Sequence, residues 1–276
     1  MYYNFYQLKE NPFNMTADPD FFYSTQCHLD ALSNLIYGIE YRKGILVITG
    51  EIGTGKTTLC RKLLQQSNKQ TKFAFILNPT FSEIQLLQII INDLGIRTVN
   101  KSKFDLIQAL NEFLIAESNK GNNVVLIIDE TQNLGVNQLE QIRLLSNLET
   151  EKEKLLQIIL VGQPELLTKL ELPALGQLRQ RIAIHFHVQP LAKADIKNYI
   201  LHRIEKARQE TLTKNVINFT DDAIDSIYQY TKGSPRSINI LCDRALLAGY
   251  AAETFQINEA TIETCAREVL YFERHL

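Results

Sequence analysis

The segment VITGEIGTGKTTL, from Val47 to Leu59, gives the strongest indication of the fold. An apolar run that predicts a buried strand leads into a loop with three glycines, followed by a lysine and two threonines. The segment Gly50–Thr57 fits the pattern G-x-x-x-x-G-K-[ST], in which glycines let backbone N–H groups turn toward an anion without interference from a Cβ atom. Because the loop lies between a predicted strand and a predicted helix, a phosphate-binding loop is favoured over a chance glycine-rich turn.

The residues that close this loop carry the chemistry of nucleotide binding. The predicted helix, which begins at about Lys56, directs its positive end toward a bound anion. Lys56 can reach the β- and γ-phosphates, and the hydroxyl of Thr57 can ligate Mg²⁺. The sequence therefore predicts a nucleoside triphosphate and a magnesium ion as ligands.

The composition shows no strong charge imbalance. The 276 residues suit one large domain or two of ordinary size, with 45% hydrophobic and 22% charged residues. The formal net charge of -2 gives no global basic field for nucleic acid, but it does not exclude a local basic patch. Four cysteines without a C-x-x-C pair predict free thiols in a reducing cytosol: Cys27, Cys60, Cys242 and Cys265.

The N-terminus and the longest apolar runs show no sign of export or membrane insertion. MYYNFYQLKENPF (1–13) lacks a basic head followed by an apolar run, so we expect no signal peptide. Apolar runs such as VVLII (124–128) are far too short to cross a bilayer.

Up to about residue 188, short buried strands alternate with helices. The predicted strands are 44–50, 72–77, 124–129, 155–162 and 182–188. The predicted helices of this part are 28–42, 56–66, 82–94, 103–119 and 137–149. This alternation is typical of an α/β fold with a parallel sheet covered on both faces.

The pattern changes at Gln189-Pro190, beyond which we predict helices and no clear strand. The predicted helices are 192–208, 220–231, 236–252 and 258–270. Residues 1–28, rich in aromatic residues, Asn, Asp and Pro, predict an irregular arm packed on a larger body. We therefore expect two domains, the arm with an α/β nucleotide-binding domain over 1–188 and an all-α domain over 189–276.

Two adjacent carboxylates follow the third predicted strand, in VVLIIDETQNL (124–134). Asp129 at the strand end can hold Mg²⁺ through water, and Glu130 can orient and deprotonate an attacking water. Gln132 and Asn133 extend the polar group. The alternative for Glu130 is a solvated acid, but the pairing with a phosphate loop favours the catalytic interpretation.

Polar residues also flank the last two predicted strands. Gln163 follows the fourth strand, at the carboxyl edge where nucleotides bind, and can hydrogen-bond the γ-phosphate or the attacking water. It can equally be a turn or capping residue before Pro164. Arg179 and Arg181 precede the fifth strand, and either can stabilise the transition state in a neighbouring subunit or be an exposed surface arginine.

In the C-terminal part, GSPR (233–236) breaks the chain and places Arg236 at a helix start. An arginine there is unfavourable for the helix dipole unless an anion is present. We therefore predict a γ-phosphate contact from Arg236, with Pro235 beside it among the nucleotide-binding residues. A salt-bridging arginine is the alternative.

Two histidines, His185 and His187, alternate on the fifth predicted strand and point to the same face. A metal pair is conceivable, but two strand histidines without a third ligand more often form hydrogen bonds. We predict no zinc site.

Taken in order, these motifs resemble those of the ExeA/GspA-type AAA+ ATPases of bacterial general (type II) secretion, and the pilus-assembly ATPase MshM is similar. The resemblance covers nearly the whole chain. It rests on the phosphate loop and on IIDETQNL (127–134), VGQPEL (161–166), LRQRI (178–182) and GSPRSINILCDRALLAGYA (233–251). The arm FYQLKENPFNMTADPDFFY (5–23) is also like theirs and is the most family-specific part.

The resemblance implies a RecA-like domain with strand order 5-1-4-3-2, an α-helical lid, ATP, Mg²⁺ and a homo-oligomer with a shared active site. It carries over Asp129 and Glu130 as the acidic pair, Gln163 as the first sensor and Arg181 as the arginine of LxQRI. Arg236 matches the second sensor. The residues that it carries over as the phosphate loop are Gly50, Glu51, Ile52, Gly53, Thr54, Gly55, Lys56, Thr57 and Thr58.

We therefore predict an AAA+ ATPase that couples ATP hydrolysis to assembly of a bacterial envelope complex through a protein partner. The alternative is a DNA-associated AAA+ ATPase that regulates transposition. Its candidate basic groups are Lys101, Lys103, Lys152 and Lys154, but interleaved acids at 151–154 favour a solvated charged face. A scaffold with little turnover is a third possibility, disfavoured by the intact Glu130.

Longer members of the family continue past the lid into a membrane-spanning helix and a periplasmic peptidoglycan-binding region. The sequence ends at Leu276 with neither. We accordingly expect a cytoplasmic chain that does not insert into the membrane itself. Any position at the inner face of the cytoplasmic membrane would depend on a partner or on a further C-terminal region.

Overall fold

The fold was obtained as a computed structural model, which describes residues 2–68, 70–79, 81–98, 102–208 and 216–273. The chain divides into two compact units. The unit with Gln26–Glu51 and Lys56–Val188 is called the α/β unit. The other, with Met1–Thr25, Ile52–Gly55 and Gln189–Leu276, is called the helical unit. The arm thus groups with the C-terminal helices, whereas we expected it to belong with the nucleotide-binding domain.

The helices of the described chain are numbered in chain order. They are α1 (Tyr2–Tyr6), α2 (Gln26–Glu40), α3 (Lys56–Gln66), α4 (Glu83–Asp93), α5 (Lys103–Asn119), α6 (Val136–Leu145), α7 (Glu165–Leu170), α8 (Gly176–Arg179), α9 (Lys193–Ala207), α10 (Asp221–Thr231), α11 (Pro235–Ala251) and α12 (Glu259–Glu273). The strands are β1 (Ile45–Gly50), β2 (Thr71–Ile76), β3 (Asn123–Ile128), β4 (Leu156–Gly162), β5 (Ile182–Val188), β6 (Asn218–Phe219) and β7 (Gln256–Ile257).

The α/β unit is built on a five-stranded sheet in the order β2-β3-β4-β1-β5, with every neighbouring pair parallel. This is the order 5-1-4-3-2 read from the other edge, so the predicted fold class is confirmed. Strands β1 and β4 are buried at every position and are made mostly of Val, Ile and Leu. Such continuous apolar strands fit a parallel sheet covered on both faces.

The parallel arrangement decides where the polar residues gather. The central strands β3, β4 and β1 are adjacent and point the same way, so their carboxyl ends meet at one edge of the sheet. The chain leaves these ends at Gly50, Ile128 and Gly162. Residues that follow the three strands are therefore neighbours, although they are far apart in sequence.

The helical unit contains three elements that we did not predict. The arm begins with the short helix α1, where we expected irregular structure. Strands β6 and β7 form a two-residue parallel ladder, with Asn218 opposite Gln256 and Phe219 opposite Ile257. The expectation of no strand beyond Gln189 was wrong, because two residues are too few to leave an alternating pattern in the sequence.

The arm is held within the helical unit by a buried arginine on α9. Arg203 donates from Nε to the carbonyl of Pro12, at 2.5 Å, and from a terminal nitrogen to the carbonyl of Asn14, at 3.1 Å. Its guanidinium lies 5.0 Å from the centroid of the Phe21 ring and also faces Tyr199. Arg203 thus holds the irregular part of the arm by donating hydrogen bonds to its backbone carbonyl oxygens.

Candidate active site

The phosphate loop lies between Gly50, the last residue of β1, and Lys56, the first residue of α3. This strand–loop–helix placement is the context that the motif requires. Gly53 and Gly55 have φ angles of 78° and 92°, which strongly favour glycine. Within the helical unit, a Cβ atom at Gly53 would lie 2.5 Å from the Cβ of Arg236, so no larger side chain fits without a shift.

Lys56 is directed at the backbone of its own loop. Its Nζ donates to the carbonyls of Gly50, at 2.8 Å, and Glu51, at 2.9 Å. The residue is only 7% exposed. This burial lowers the pKa of Lys56, and the nearby carboxylates of Glu130 and Asp129 oppose the shift. A phosphate oxygen is a charged acceptor and binds an ammonium more strongly than these neutral carbonyls do.

Thr57 and Asp129 meet directly. The Thr57 hydroxyl donates to Oδ2 of Asp129 at 2.5 Å, and the Asp129 carboxylate also accepts from the backbone N–H of Glu130. Burial raises the pKa of Asp129, while these two hydrogen bonds oppose the shift. A hydroxyl and a carboxylate side by side form the hard oxygen donor set that Mg²⁺ takes, so the residues present fit this ion.

Glu130 lies just beyond β3 in a left-handed backbone conformation, with φ 53° and ψ 38°. Such a conformation is uncommon for a non-glycine residue and is often found at functional sites. Its Oε2 accepts from the side-chain amides of Gln132, at 2.5 Å, and Gln163, at 3.2 Å. The structure therefore brings together the predicted base and the predicted first sensor.

Two further residues join this network: Gln132, which we expected only to extend the polar group after Glu130, and Lys169, which no motif indicated. The side-chain oxygen of Gln132 accepts from the backbone N–H of Gln163, at 3.1 Å. Lys169, on α7, donates to the carbonyls of Gln132, at 2.5 Å, and Leu134, at 2.7 Å. For Gln132, the sequence did offer an indication: an amide side chain two positions after Glu130 is close enough to contact its carboxylate. Lys169 had none, because only the fold brings α7 to this turn.

The two candidate arginines at the start of β5 differ in their surroundings. Arg179 ends α8 and is exposed. Arg181 is partly buried, and its Nη1 donates weakly to the hydroxyl of Ser146, at 3.4 Å. Both lie in the α/β unit.

Arg236 lies in the first turn of α11, after the N-cap Ser234 and with Pro235 at the first helical position. No acidic residue shares this turn. Within the helical unit, the Arg236 backbone N–H donates to the carbonyl of Gly53, at 3.2 Å, and Ser234 donates to the carbonyl of Ile52, at 3.4 Å. The second-sensor segment thus contacts the loop tip through the Arg236 backbone and the Ser234 hydroxyl.

The histidines of β5 share one partner. His185 Nε2 and His187 Nδ1 each lie 2.9 Å from the hydroxyl of Thr49, the residue before the phosphate loop. Burial, followed by the neighbouring His187, lowers the pKa of His185. Over the residues that the structure describes, no group of three or more His, Cys, Asp or Glu is arranged to hold a metal ion.

The basic groups considered for nucleic acid are partly engaged elsewhere. Lys103 pairs with Glu83, at 2.7 Å, and Lys154 pairs with Glu149. Lys101 lies outside the described residues. Within the described ranges, no helix is long and apolar enough to cross a membrane.

Comparison with known proteins gives matches over most of the chain. A family model described as an AAA domain matches residues 39–170. The general secretion pathway protein A of Aeromonas hydrophila is 39% identical, over 98% of this chain and 48% of that protein. The chain therefore spans about half the length of this curated relative.

Solved structures with a similar fold belong to the AAA+ class. Drosophila ORC bound to DNA gives a TM-score of 0.69 at 16% identity, covering 94% of this chain and 64% of that chain. The Aeropyrum pernix ORC2 protein, in ADPNP–ADP complexes, gives a TM-score of 0.67 at 14% identity, covering 94% of this chain and 72% of that chain. The Thermotoga maritima RuvB branch migration motor gives a TM-score of 0.57 at 17% identity, covering 89% of this chain and 70% of that chain.

At these low identities the structural matches show the fold alone, and the family assignment rests on the secretion relative and the AAA domain. Both agree with the resemblance that the motifs predicted. The chain carries an AAA domain and is similar over 98% of its length to an ExeA/GspA-type AAA+ ATPase.

Proposed function

We propose that the chain binds ATP with Mg²⁺ at the phosphate loop, hydrolyses it within a homo-oligomer, and couples its nucleotide state to assembly of a bacterial envelope complex. The observation that carries this proposal is the meeting of Thr57 with Asp129 beside the Glu130–Gln163 pair. These residues follow three different strand ends and converge only because the sheet is parallel.

Each residue at this edge has a role that its chemistry supports. The loop amides and Lys56 hold the phosphates, and Thr57 with Asp129 holds Mg²⁺. The ion, when bound, neutralises charge on the phosphate oxygens. Glu130 accepts the proton of the attacking water, and the amide of Gln163 donates to the γ-phosphate or to that water.

Two arginines complete the proposed site. Arg236, with Pro235, contacts the γ-phosphate, because an arginine in the first turn of a helix, where no acidic residue lies, is unfavourable unless an anion binds there. Arg181 enters the site of a neighbouring subunit and stabilises the charge of the transition state. Arg179 is the alternative for this role.

The cellular role is inferred from the secretion relative. Because the chain spans only about half of that protein, the envelope partner and the pathway are part of this proposal. The DNA-associated alternative receives less support, since Lys103 and Lys154 are engaged in ion pairs with neighbouring glutamates.

The purified chain tests the enzymatic part. Lys56→Ala should abolish tight ATP binding in calorimetry, because it removes the loop's only lysine, whereas Glu130→Gln should bind ATP and stop phosphate release. Lys62→Ala is a matched control, since this lysine of α3 contacts Gln65 at the surface. Unchanged affinity in Lys56→Ala would overturn the assignment of the loop. ATPase activity stimulated by duplex DNA would favour the DNA-associated alternative.

A further inference from the structure

We propose that Gln132 is a positioning residue that fixes the carboxylate of Glu130 to the end of β4. This inference rests on the proposed function, in which Glu130 is the base for hydrolysis. The two residues are separated by one position, and their side chains are joined by a hydrogen bond of 2.5 Å between Nε2 of Gln132 and Oε2 of Glu130.

Both the oxygen and the nitrogen of the Gln132 side-chain amide form hydrogen bonds. Its oxygen accepts from the backbone N–H of Gln163, at 3.1 Å, and its nitrogen donates to Glu130. A carboxylate only accepts and a backbone N–H only donates, so the two partners together fix which way the amide faces. Only a side chain with both a donor and an acceptor can make this bridge.

The backbone of Gln132 is fixed independently of its side chain. Lys169 donates to the carbonyls of Gln132 and Leu134, which clamps the short turn at 131–133 from α7. The buried hydroxyl of Thr131 donates to the carbonyl of Ile128, at 2.8 Å. Because these hydrogen bonds hold the turn, the backbone of Gln132 has a fixed position from which its side chain reaches Glu130.

The end of β4 leaves room for this amide. A Cβ atom at Gly162 would lie 3.0 Å from the side-chain oxygen of Gln132 and 3.0 Å from a methyl group of Leu166. Glycine at this position therefore lets the Gln132 side chain pass close to the strand.

The bridge links the base to the strand that carries the sensor. Gln163 contributes its side-chain amide to Glu130 and its backbone N–H to Gln132, so the three groups form a closed triangle of hydrogen bonds. Without Gln132, Glu130 would keep only the longer bond of 3.2 Å to Gln163 in this triangle. A general base must be held within hydrogen-bond reach of its water, so this loss should slow the chemical step and spare ATP binding.

The test uses two variants of nearly the same length as glutamine. Gln132→Met removes both the donor and the acceptor. Gln132→Glu keeps the acceptor but places a second carboxylate beside Glu130. Both should lower kcat by about tenfold or more while KM and ATP affinity stay within about twofold, since a positioned base contributes on the order of 10²–10⁴ in rate. Gln108→Met is the matched control, because this exposed amide of α5 contacts Glu112, at 2.9 Å, and should leave kcat unchanged.

A double-mutant cycle separates positioning from a structural role. If Gln132 acts through Glu130, Gln132→Met should cause a smaller fold-loss of kcat in a Glu130→Asp background, which retains a carboxylate base, than in the unmodified chain. An equal fold-loss in both backgrounds, a fall in ATP affinity, or normal kcat in both Gln132 variants would overturn the inference. If Gln132→Met does not fold, the same double-mutant cycle can be measured with Gln132→Glu. Normal turnover by Glu130→Gln alone would instead overturn the proposed role of Glu130.

Discussion

Thr57 and Asp129, which lie 72 positions apart in the sequence, are joined by a hydrogen bond of 2.5 Å from hydroxyl to carboxylate. One residue follows the phosphate loop at the start of α3, and the other follows β3. Both are oxygen ligands suited to Mg²⁺. The same contact orders the two side chains in the protein and marks the proposed place of the metal.

We expect Thr57→Val to raise the Mg²⁺ concentration needed for half-maximal ATP hydrolysis by about tenfold or more, because the substitution keeps the shape and removes one oxygen ligand. Thr57→Ser keeps the hydroxyl and should retain most of the activity. Titration of ATPase activity with MgCl₂ measures both. An unchanged Mg²⁺ dependence in Thr57→Val would show that this hydroxyl does not bind the ion.

The sheet and the phosphate loop could be predicted because their signals are local. Buried parallel strands are continuous apolar runs, and the loop before Lys56 needs glycines at fixed spacings. Asp129 and Glu130 follow from the same logic, since acids at the end of a buried strand reach the carboxyl edge of the sheet. For these residues, position along the chain already implies position in space.

Contacts that depend on packing between distant elements left no such signal. The bond from Lys169 to the turn after β3 exists because α7 follows the neighbouring strand. Among the contacts that join the arm to the C-terminal helices are those of Arg203, which binds the carbonyl groups of Pro12 and Asn14. Backbone acceptors are present at every residue, so a sequence does not show which of them a buried arginine selects.

We expect Arg181→Ala to bind ATP almost normally and to lose most of its turnover, by on the order of 10³-fold if it acts as an arginine finger. Arg179→Ala is the matched variant, because that side chain lies two positions away and is exposed. Activity per chain of the unmodified protein should rise with protein concentration if subunits share the site as proposed.

Mixing the inactive variants tests the shared site directly. Arg181→Ala mixed with Lys56→Ala should recover part of the activity, because some interfaces pair an intact loop with an intact arginine. If Arg179→Ala, and not Arg181→Ala, loses turnover and complements Lys56→Ala, the role belongs to Arg179. Activity independent of concentration, together with a mixture that stays inactive, would contradict a shared site.

The four cysteines should differ sharply in reactivity toward a thiol reagent. Cys60 and Cys242 are fully buried and Cys265 nearly so, and this burial raises the pKa of each of the three thiols. Because the thiolate is the nucleophile, these groups should react only when the chain unfolds. Cys27 is partly exposed and should react first. Mass spectrometry after a brief treatment of the folded chain should find one label, absent in Cys27→Ser.

Helix α1 packs closely against α11 where Tyr6 meets Gly249. The hydroxyl of Tyr6 lies at 3.1 Å from the carbonyls of both Leu246 and Thr254, and burial raises its pKa to about 12. A Cβ atom at Gly249 would lie 2.5 Å from this hydroxyl and 2.6 Å from a methyl group of Ile257. Alanine normally stabilises a helix relative to glycine by about 1 kcal/mol. Here the clash should outweigh that gain.

We therefore expect Gly249→Ala to destabilise the chain by about 1–3 kcal/mol in urea unfolding, the usual range for an overpacked core. Gly176→Ala is the control, since a Cβ atom there meets nothing within 4 Å, and its effect should stay within about 0.5 kcal/mol. Tyr6→Phe removes the clashing oxygen, so the double variant should lose less stability than the sum of the two single variants. Strict additivity, or a Gly249→Ala variant as stable as the unmodified chain, would show that the hydroxyl of Tyr6 does not restrict this position.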